Sequence, residues 1–152
     1  MRGRISQDTP VGVPAKMVWE VYRGLELSRL VGEYLADVIG KPQVLEGDGG
    51  VGTLIKLNYP PGTPGIRYMI ERFTKIDHEN RVKVTENVEG GFKGLGFDYY
   101  GFRLEIIEKD SESAIIRSSI EYDADDKLAD VAASITTRPL EIIAEFVGEH
   151  LS

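Results

Sequence analysis

DKLADVAASITTRPLEIIAEFVGEH, running from Asp126 to His150, is the stretch whose reading decides the fold. Leu128, Val131, Ala132 and Ile135 follow the i, i+3, i+4, i+7 spacing of one helical face, and Leu140, Ile143, Ala144, Val147 and Leu151 resume it beyond Pro139. A proline inside a helix removes a backbone donor, so the spacing predicts one long amphipathic helix bent at Pro139. Such a helix is marginal in water on its own, and its apolar face needs a broad surface to lie against.

Upstream the period is 2. Strands are expected at about 3 to 12, 42 to 47, 51 to 59, 66 to 76, 80 to 88, 95 to 107 and 113 to 123, each bounded by turn residues at hairpin spacing. Pro10 confines the first of these to an edge or a bulge. Between the first and second strands, Met17, Val18, Val21 and Tyr22 share a helical face from Pro14 to Tyr22, with Pro14 suited to the first turn and Trp19 to the core. A second helical pattern, Leu30, Val31, Tyr34, Leu35 and Val38, follows the break at Gly24 and covers Leu27 to Ile39. The expected architecture is α+β, a single domain over 1–152: a curved seven-stranded antiparallel sheet with two short helices, gripping a long C-terminal helix around an internal cavity.

Composition narrows the function. The chain has 25 acidic and 18 basic residues, a net charge of −7, and its Lys and Arg are scattered, which argues against nucleic acid or an anionic membrane as partner. Without cysteine there are no disulfides and no thiolate metal sites. No run approaches the roughly 18 apolar residues of a membrane span, and Met1-Arg-Gly-Arg-Ile-Ser6 has no apolar signal core, so a cytoplasmic protein is expected. Glu46-Gly-Asp-Gly-Gly-Val-Gly-Thr53 is glycine-rich, but it lacks the Gly-Lys-Ser/Thr ending of a phosphate loop and leads into a strand, which makes it a tight connection. His78 and His150 form no metal spacing, and neither metal nor cofactor is expected.

This order of elements around Glu46 to Thr53 resembles the plant pathogenesis-related class-ten proteins, the Bet v I superfamily, over nearly the whole chain. Pro61-Gly-Thr-Pro-Gly65, Tyr68, Glu71-Arg-Phe73, Ile76-Asp-His-Glu79, Arg81-Val-Lys83, Val88-Glu-Gly-Gly91, Leu95-Gly96 and Ile120-Glu-Tyr122 are similar to its norcoclaurine synthase and norbelladine synthase branch. The resemblance implies condensation of a phenethylamine, tyramine or dopamine, with an aromatic aldehyde through an imine. It also implies catalytic roles for Tyr68, Glu71 and Lys83: Lys83 as proton donor in loss of water, Glu71 as proton acceptor, and Tyr68 orienting a phenolic substrate. Norcoclaurine synthases place an aspartate after the tyrosine pair that is Tyr99-Tyr100 here, and this chain has Phe102 at that place; their tyrosine also stands two residues before the glutamate, where Tyr68 stands three before Glu71. Both differences point away from ring closure and leave imine formation, with a reductase as a possible further partner.

Candidate cavity-lining residues are Tyr59, Met69, Phe73, Phe92, Tyr100, Phe102, Leu140 and Ile143. A hairpin centred on His78 would set Phe73 opposite Lys83 and Glu71 on the lysine's diagonal, about 7–8 Å away at Cα, where carboxylate and ammonium can share one site. Plain binary patterning reads otherwise: Val82, Val84 and Val88 would go inside, and Lys83 outside. Tyr68 shares parity with Ile66 and Ile70, opposite to Glu71, so reaching the Glu71 face requires a β-bulge between them. Alternation through Tyr100, Phe102, Leu104 and Ile106 turns Phe102 inward. Two other functions fit the same fold, a carrier of aromatic or hormone-like ligands and a defence protein with an incidental cavity; product formation from amine and aldehyde separates the enzyme from both.

Overall fold

The structure is a computed structural model that describes residues 1–63 and 65–152; Pro64, within the Pro61 to Gly65 motif, lies outside the described residues. Seven antiparallel strands, β1 (Arg2–Val11), β2 (Lys41–Glu46), β3 (Leu54–Asn58), β4 (Tyr68–Asp77), β5 (Val82–Gly90), β6 (Tyr99–Asp110) and β7 (Ser113–Asp123), form one sheet in the order β1-β7-β6-β5-β4-β3-β2. Consecutive strands from β2 to β7 are neighbours, as hairpin spacing requires. β1 closes the far edge beside β7, and there Pro10, opposite Ile115, is tolerated because an edge strand has an unpaired side.

Helices α1 (Ala15–Tyr22) and α2 (Glu26–Tyr34) fill the crossover from one sheet edge to the other. Trp19 is buried as expected, and its indole N–H donates to His78 Nδ1 at 3.2 Å. A single helical turn, α3 (Gly91–Gly94), interrupts the connection from β5 to β6 and was not foreseen from the pattern.

The C-terminal region corrects one expectation. Instead of a single bent helix there are a 3-10 turn at Asp126–Leu128, a short α4 (Ala129–Ala133), a break at residues 134 to 137, and α5 (Arg138–Leu151). Pro139 sits in the first turn of α5, where no N–H partner is needed, so it begins a helix instead of bending one. Arg138 N donates to Thr136 Oγ1 at 3.1 Å, which satisfies one of the free donors at that start. The apolar period carries across the break because α4 and α5 contribute residues to the same interior. No helix is long and apolar enough to cross a membrane among the described residues.

Two apolar clusters hold the layers together. One joins Val18, Trp19, Tyr22 and Leu30 to Leu104, Ile106, Ile116, Ala144 and Val147; the other joins Met69, Phe97, Tyr100 and Ile120 to Ala132, with Phe92 and Leu140 against it. α5 approaches β1 so closely that a Cβ on Gly148 would stand 2.5 Å from Val11 Cγ1. A cavity remains between the sheet and the helices, walled by members of both clusters.

Candidate active site

The cavity holds about 360 Å³, within the usual range of small-molecule sites. Its floor is the inward parity of four strands: Ile55 and Leu57 of β3 continuing to Tyr59, Met69, Glu71 and Phe73 of β4, Lys83 and Thr85 of β5, and Tyr100, Phe102 and Leu104 of β6. Leu140 and Ile143 of α5, Phe92 of α3 and Leu27 of α2 cover it. Tyr59, Met69, Phe73, Phe92, Tyr100, Phe102, Leu140 and Ile143 thus all lie on its wall, together with Glu71 and Lys83. A larger, open hollow of about 590 Å³ lies among Arg2, Arg4, Tyr99 and Glu121, away from this pair.

Glu71 and Lys83 meet by a route other than the expected hairpin. The β4–β5 turn centres between Glu79 and Asn80 instead of on His78, and there Asn80 donates through its backbone N and its Nδ2 to the Asp77 carboxylate and Arg81 takes a positive φ of 53°. Ile76, not Phe73, then opposes Lys83. Two register shifts follow: Thr74 is an extra residue in β4, and Val88 is an extra residue in β5. Between them Phe73 opposes Thr85 and Glu71 opposes Asn87, and Glu71 and Thr85 both reach the cavity.

Val82 is buried as its pattern predicts, but beyond it the valine pattern of β5 is inverted. Lys83, Thr85 and Asn87 are buried, whereas Val84 and Val88 are only partly covered on the other face. Lys83 Nζ donates to two backbone carbonyls at the end of α1, Tyr22 O at 3.0 Å and Gly24 O at 3.1 Å, and lies 3.7 Å from the centre of the Phe73 ring. Carbonyls at a helix C-terminus and an aromatic face both favour a cation. Burial outweighs them and draws the lysine down to about 8, against the opposing pull of the Glu71 charge. Glu71 is partly accessible from the cavity yet deep in the protein, and burial raises its pKa; Lys83 and the Thr85 hydroxyl, which donates to Oε2 at 3.4 Å, act the other way. Acid and base are therefore both moved toward neutrality, as proton transfer near pH 7 to 8 requires.

Asn87 braces the second shift. Its Nδ2 donates to Ile70 O (3.2 Å) and Glu89 O (3.0 Å), and its Oδ1 accepts from Lys93 N (2.9 Å). The chain turns there through Gly90 and Gly91, both at positive φ, and a Cβ on Gly91 would lie 2.9 Å from Asn87 Oδ1. This corner carries Phe92 into the cavity, stacked on Tyr100 with ring centres 4.4 Å apart. Phe102 meets Tyr100 edge-on at 5.5 Å and presents an apolar wall. Thr85 and Asn87 were not singled out from the sequence; the signal available was their shared parity with Lys83.

Tyr68 is a second correction. β4 pairs regularly with β3 from Tyr68 opposite Asn58 to Arg72 opposite Leu54, and the extra residue near Glu71 belongs to β5, so no bulge turns Tyr68 inward. Its hydroxyl donates to Glu89 at 2.9 Å outside the cavity, and Lys56 Nζ lies over its ring. The cavity's own phenols near Glu71 are Tyr59, pushed up to about 12 by burial and then by the Glu71 charge, and Tyr100, raised by burial first. Among the described residues no three His, Cys, Asp or Glu side chains gather as metal ligands.

Comparison with known proteins identifies the family. The model of the pathogenesis-related protein Bet v 1 family matches residues 1–151. Norbelladine synthase of Narcissus pseudonarcissus is 48% identical over 151 residues, covering 99% of this chain and 93% of that one. S-norcoclaurine synthase 1 of Papaver somniferum is 37% identical over 153 residues, covering 99% of this chain, which spans 66% of the poppy protein's length. The X-ray structure of norcoclaurine synthase from Thalictrum flavum in complex with dopamine and hydroxybenzaldehyde superposes with a TM-score of 0.87 at 29% identity, over 99% of this chain and 87% of that one. A helix-gripping seven-stranded sheet, a glycine-rich connection between β2 and β3 and a family match from end to end lead to one assignment: the chain belongs to the pathogenesis-related protein Bet v 1 family.

Proposed function

We propose that the cavity condenses a phenethylamine, tyramine or dopamine, with an aromatic aldehyde to give an imine of the kind used in alkaloid biosynthesis. The observation that carries this reading is the burial of Glu71 and Lys83 on one aromatic-walled cavity, each shifted toward neutrality. Similarity to norbelladine synthase and to a norcoclaurine synthase bound to an amine and an aldehyde supports the same chemistry.

Amine nitrogen attacks the aldehyde carbon, the C–N bond forms, and the carbonyl oxygen becomes the hydroxyl of a carbinolamine. As that hydroxyl forms, Lys83 gives the oxygen its proton and Glu71 takes one proton from nitrogen, and exchange with water returns each group to its starting state. Lys83 then gives a second proton to the hydroxyl, the C–O bond breaks and water leaves, and Glu71 takes the remaining nitrogen proton as the C=N bond closes. Holding both reactants in one enclosed site converts a bimolecular encounter into a local one. Phe102 offers no proton acceptor where a ring proton would have to be removed, so the imine is the end product. An imine hydrolyses in water, and a reductase that captures it in the cytoplasm completes the reading.

The test is to mix tyramine and 4-hydroxybenzaldehyde with the protein, quench with cyanoborohydride and follow the secondary amine by mass spectrometry. Formation well above the protein-free rate is expected. A rate equal to background sinks the proposal.

A further inference from the structure

We infer that Tyr59, not Tyr68, supplies the phenolic hydroxyl of this site, donating a hydrogen bond to the aldehyde oxygen as it becomes the carbinolamine oxygen. The inference rests on the condensation reading for its role, and on geometry for its residue.

Tyr68 is occupied elsewhere. Its O–H is spent on Glu89, and its parity with Ile70 and Arg72 keeps it off the cavity wall. Tyr59 continues the inward line of Ile55 and Leu57, one step beyond the Asn58–Tyr68 pair, and its backbone N donates to Arg67 O at 3.0 Å, which extends the ladder and fixes the ring's direction. Among the described residues its hydroxyl has no protein partner, yet it is not one of the hydroxyls sealed in the core without one, which are those of Thr9 and Tyr22. A donor of this kind, aimed into a cavity and unspent, is available to a ligand. Tyr100 is the competing phenol, and among the described residues its hydroxyl is likewise without a protein partner. What separates the two is the ring: that of Tyr100 is packed against Phe92, Phe97 and Phe102 and almost fully buried, whereas Tyr59 is half-buried at the cavity wall.

Burial, and after it the charge of Glu71, disfavours the Tyr59 phenolate and keeps the O–H in place through the pH range where Lys83 titrates. It exchanges no proton in the reaction. As nitrogen adds and the C=O bond opens, charge grows on oxygen, and the Tyr59 hydrogen bond strengthens until Lys83 delivers the proton.

Two measurements test this. In turnover, Tyr59→Phe is expected to lower kcat about 100-fold, the scale for losing one preorganised donor, with KM for the amine within a few-fold and an unchanged thermal midpoint. Tyr68→Phe is expected to stay within about twofold of wild type. A KM effect alone in Tyr59→Phe, or a kcat loss confined to Tyr68→Phe or Tyr100→Phe, overturns the assignment. The second measurement needs no turnover: the infrared C=O stretch of 4-hydroxybenzaldehyde carrying carbon-13 at the carbonyl, bound to the protein. It should lie lower in wild type and Tyr68→Phe than in Tyr59→Phe. An identical stretch in wild type and Tyr59→Phe, or no bound aldehyde at all, overturns the inference. If the protein fails to condense while the stretch still depends on Tyr59, the condensation reading falls and the hydrogen bond stands.

Discussion

Two carboxylate–cation pairs sit on neighbouring strands of this sheet and behave in opposite ways. Asp8 and Arg117, directly opposed on β1 and β7, form a two-pronged bond on the surface, Nε to Oδ1 at 2.9 Å and Nη2 to Oδ2 at 3.0 Å. The arginine's hydrogen bond holds the Asp8 carboxyl below its usual range. Glu71 and Lys83, on β4 and β5, share a cavity without bonding each other: the lysine is held by the end of α1 and the glutamate by Thr85. Water around the first pair lets each ion keep its charge. The second pair has lost that water, and desolvation exceeds what their attraction returns. A direct contact spends both groups, whereas separation inside leaves each able to exchange a proton.

The largest expected effect comes from removing the inner cation. Lys83→Met should lower turnover by about 10²–10⁴-fold, the range for an acid–base group, while the protein still unfolds cooperatively on heating. Undiminished turnover would erase the contrast between the two pairs.

Adding a third charge sharpens it. Phe102→Asp, checked by circular dichroism for retained fold, should raise the ratio of cyclised to uncyclised product from dopamine by on the order of tenfold, because a base then stands on a wall that had none. A flat ratio means that the missing carboxylate does not limit ring closure.

The pH behaviour is more graded. Turnover should fall on the alkaline side with a limb near pH 8 as Lys83 loses its proton. Glu71 raises the lysine's pKa, so Glu71→Gln should move the limb to lower pH, in whatever activity that variant keeps. A limb that stays or rises contradicts the coupling. Stability has its own sign. Between about 8, the folded value, and 10.5, the ordinary one, the unfolded chain binds the lysine proton and the folded chain does not, so this group's contribution rises with pH by at most about 1.4 kcal/mol per unit. Urea titrations of wild type and Lys83→Met across pH 8 to 10 should diverge in that direction.

The smallest effect belongs to the outer pair. Asp8→Asn should change stability by about 0–1 kcal/mol, less at high salt, and leave turnover untouched. A larger loss would mean that the surface pair does more than satisfy itself.

Period-2 patterning located all seven strands, because hairpins impose turn residues at their ends, and the alternation through Tyr100, Phe102 and Leu104 turned Phe102 to the correct face. The same rule misread β5. Val84 and Val88 look like core, but regular alternation from Val82 to Asn87 defines two faces without saying which one turns toward the cavity, and the face with Lys83 and Thr85 does. The likeness to known synthases put Lys83 inside, and periodicity did not. Pro139 was read through the unbroken apolar period across residues 134 to 137, which reports a shared face but not a continuous backbone. Tyr68 was drawn to the site by sequence similarity, and the regular β3–β4 ladder keeps it out.

The pairing of β1 with β7 sets a schedule for the chain's birth. Arg2 pairs with Asp123, so the first strand has no partner until more than a hundred further residues have left the ribosome. At about 5–20 residues per second, that wait is on the order of 6 to 24 seconds, far longer than a hairpin such as β4–β5 needs to close. For that interval β1 is a free strand in a crowded cell. Arg2, Arg4 and Asp8 on one side of it, and Pro10 near its end, make it a poor template for a stranger's edge, so the same charged side chains that flank the finished sheet keep its earliest strand unmatched until its own partner arrives.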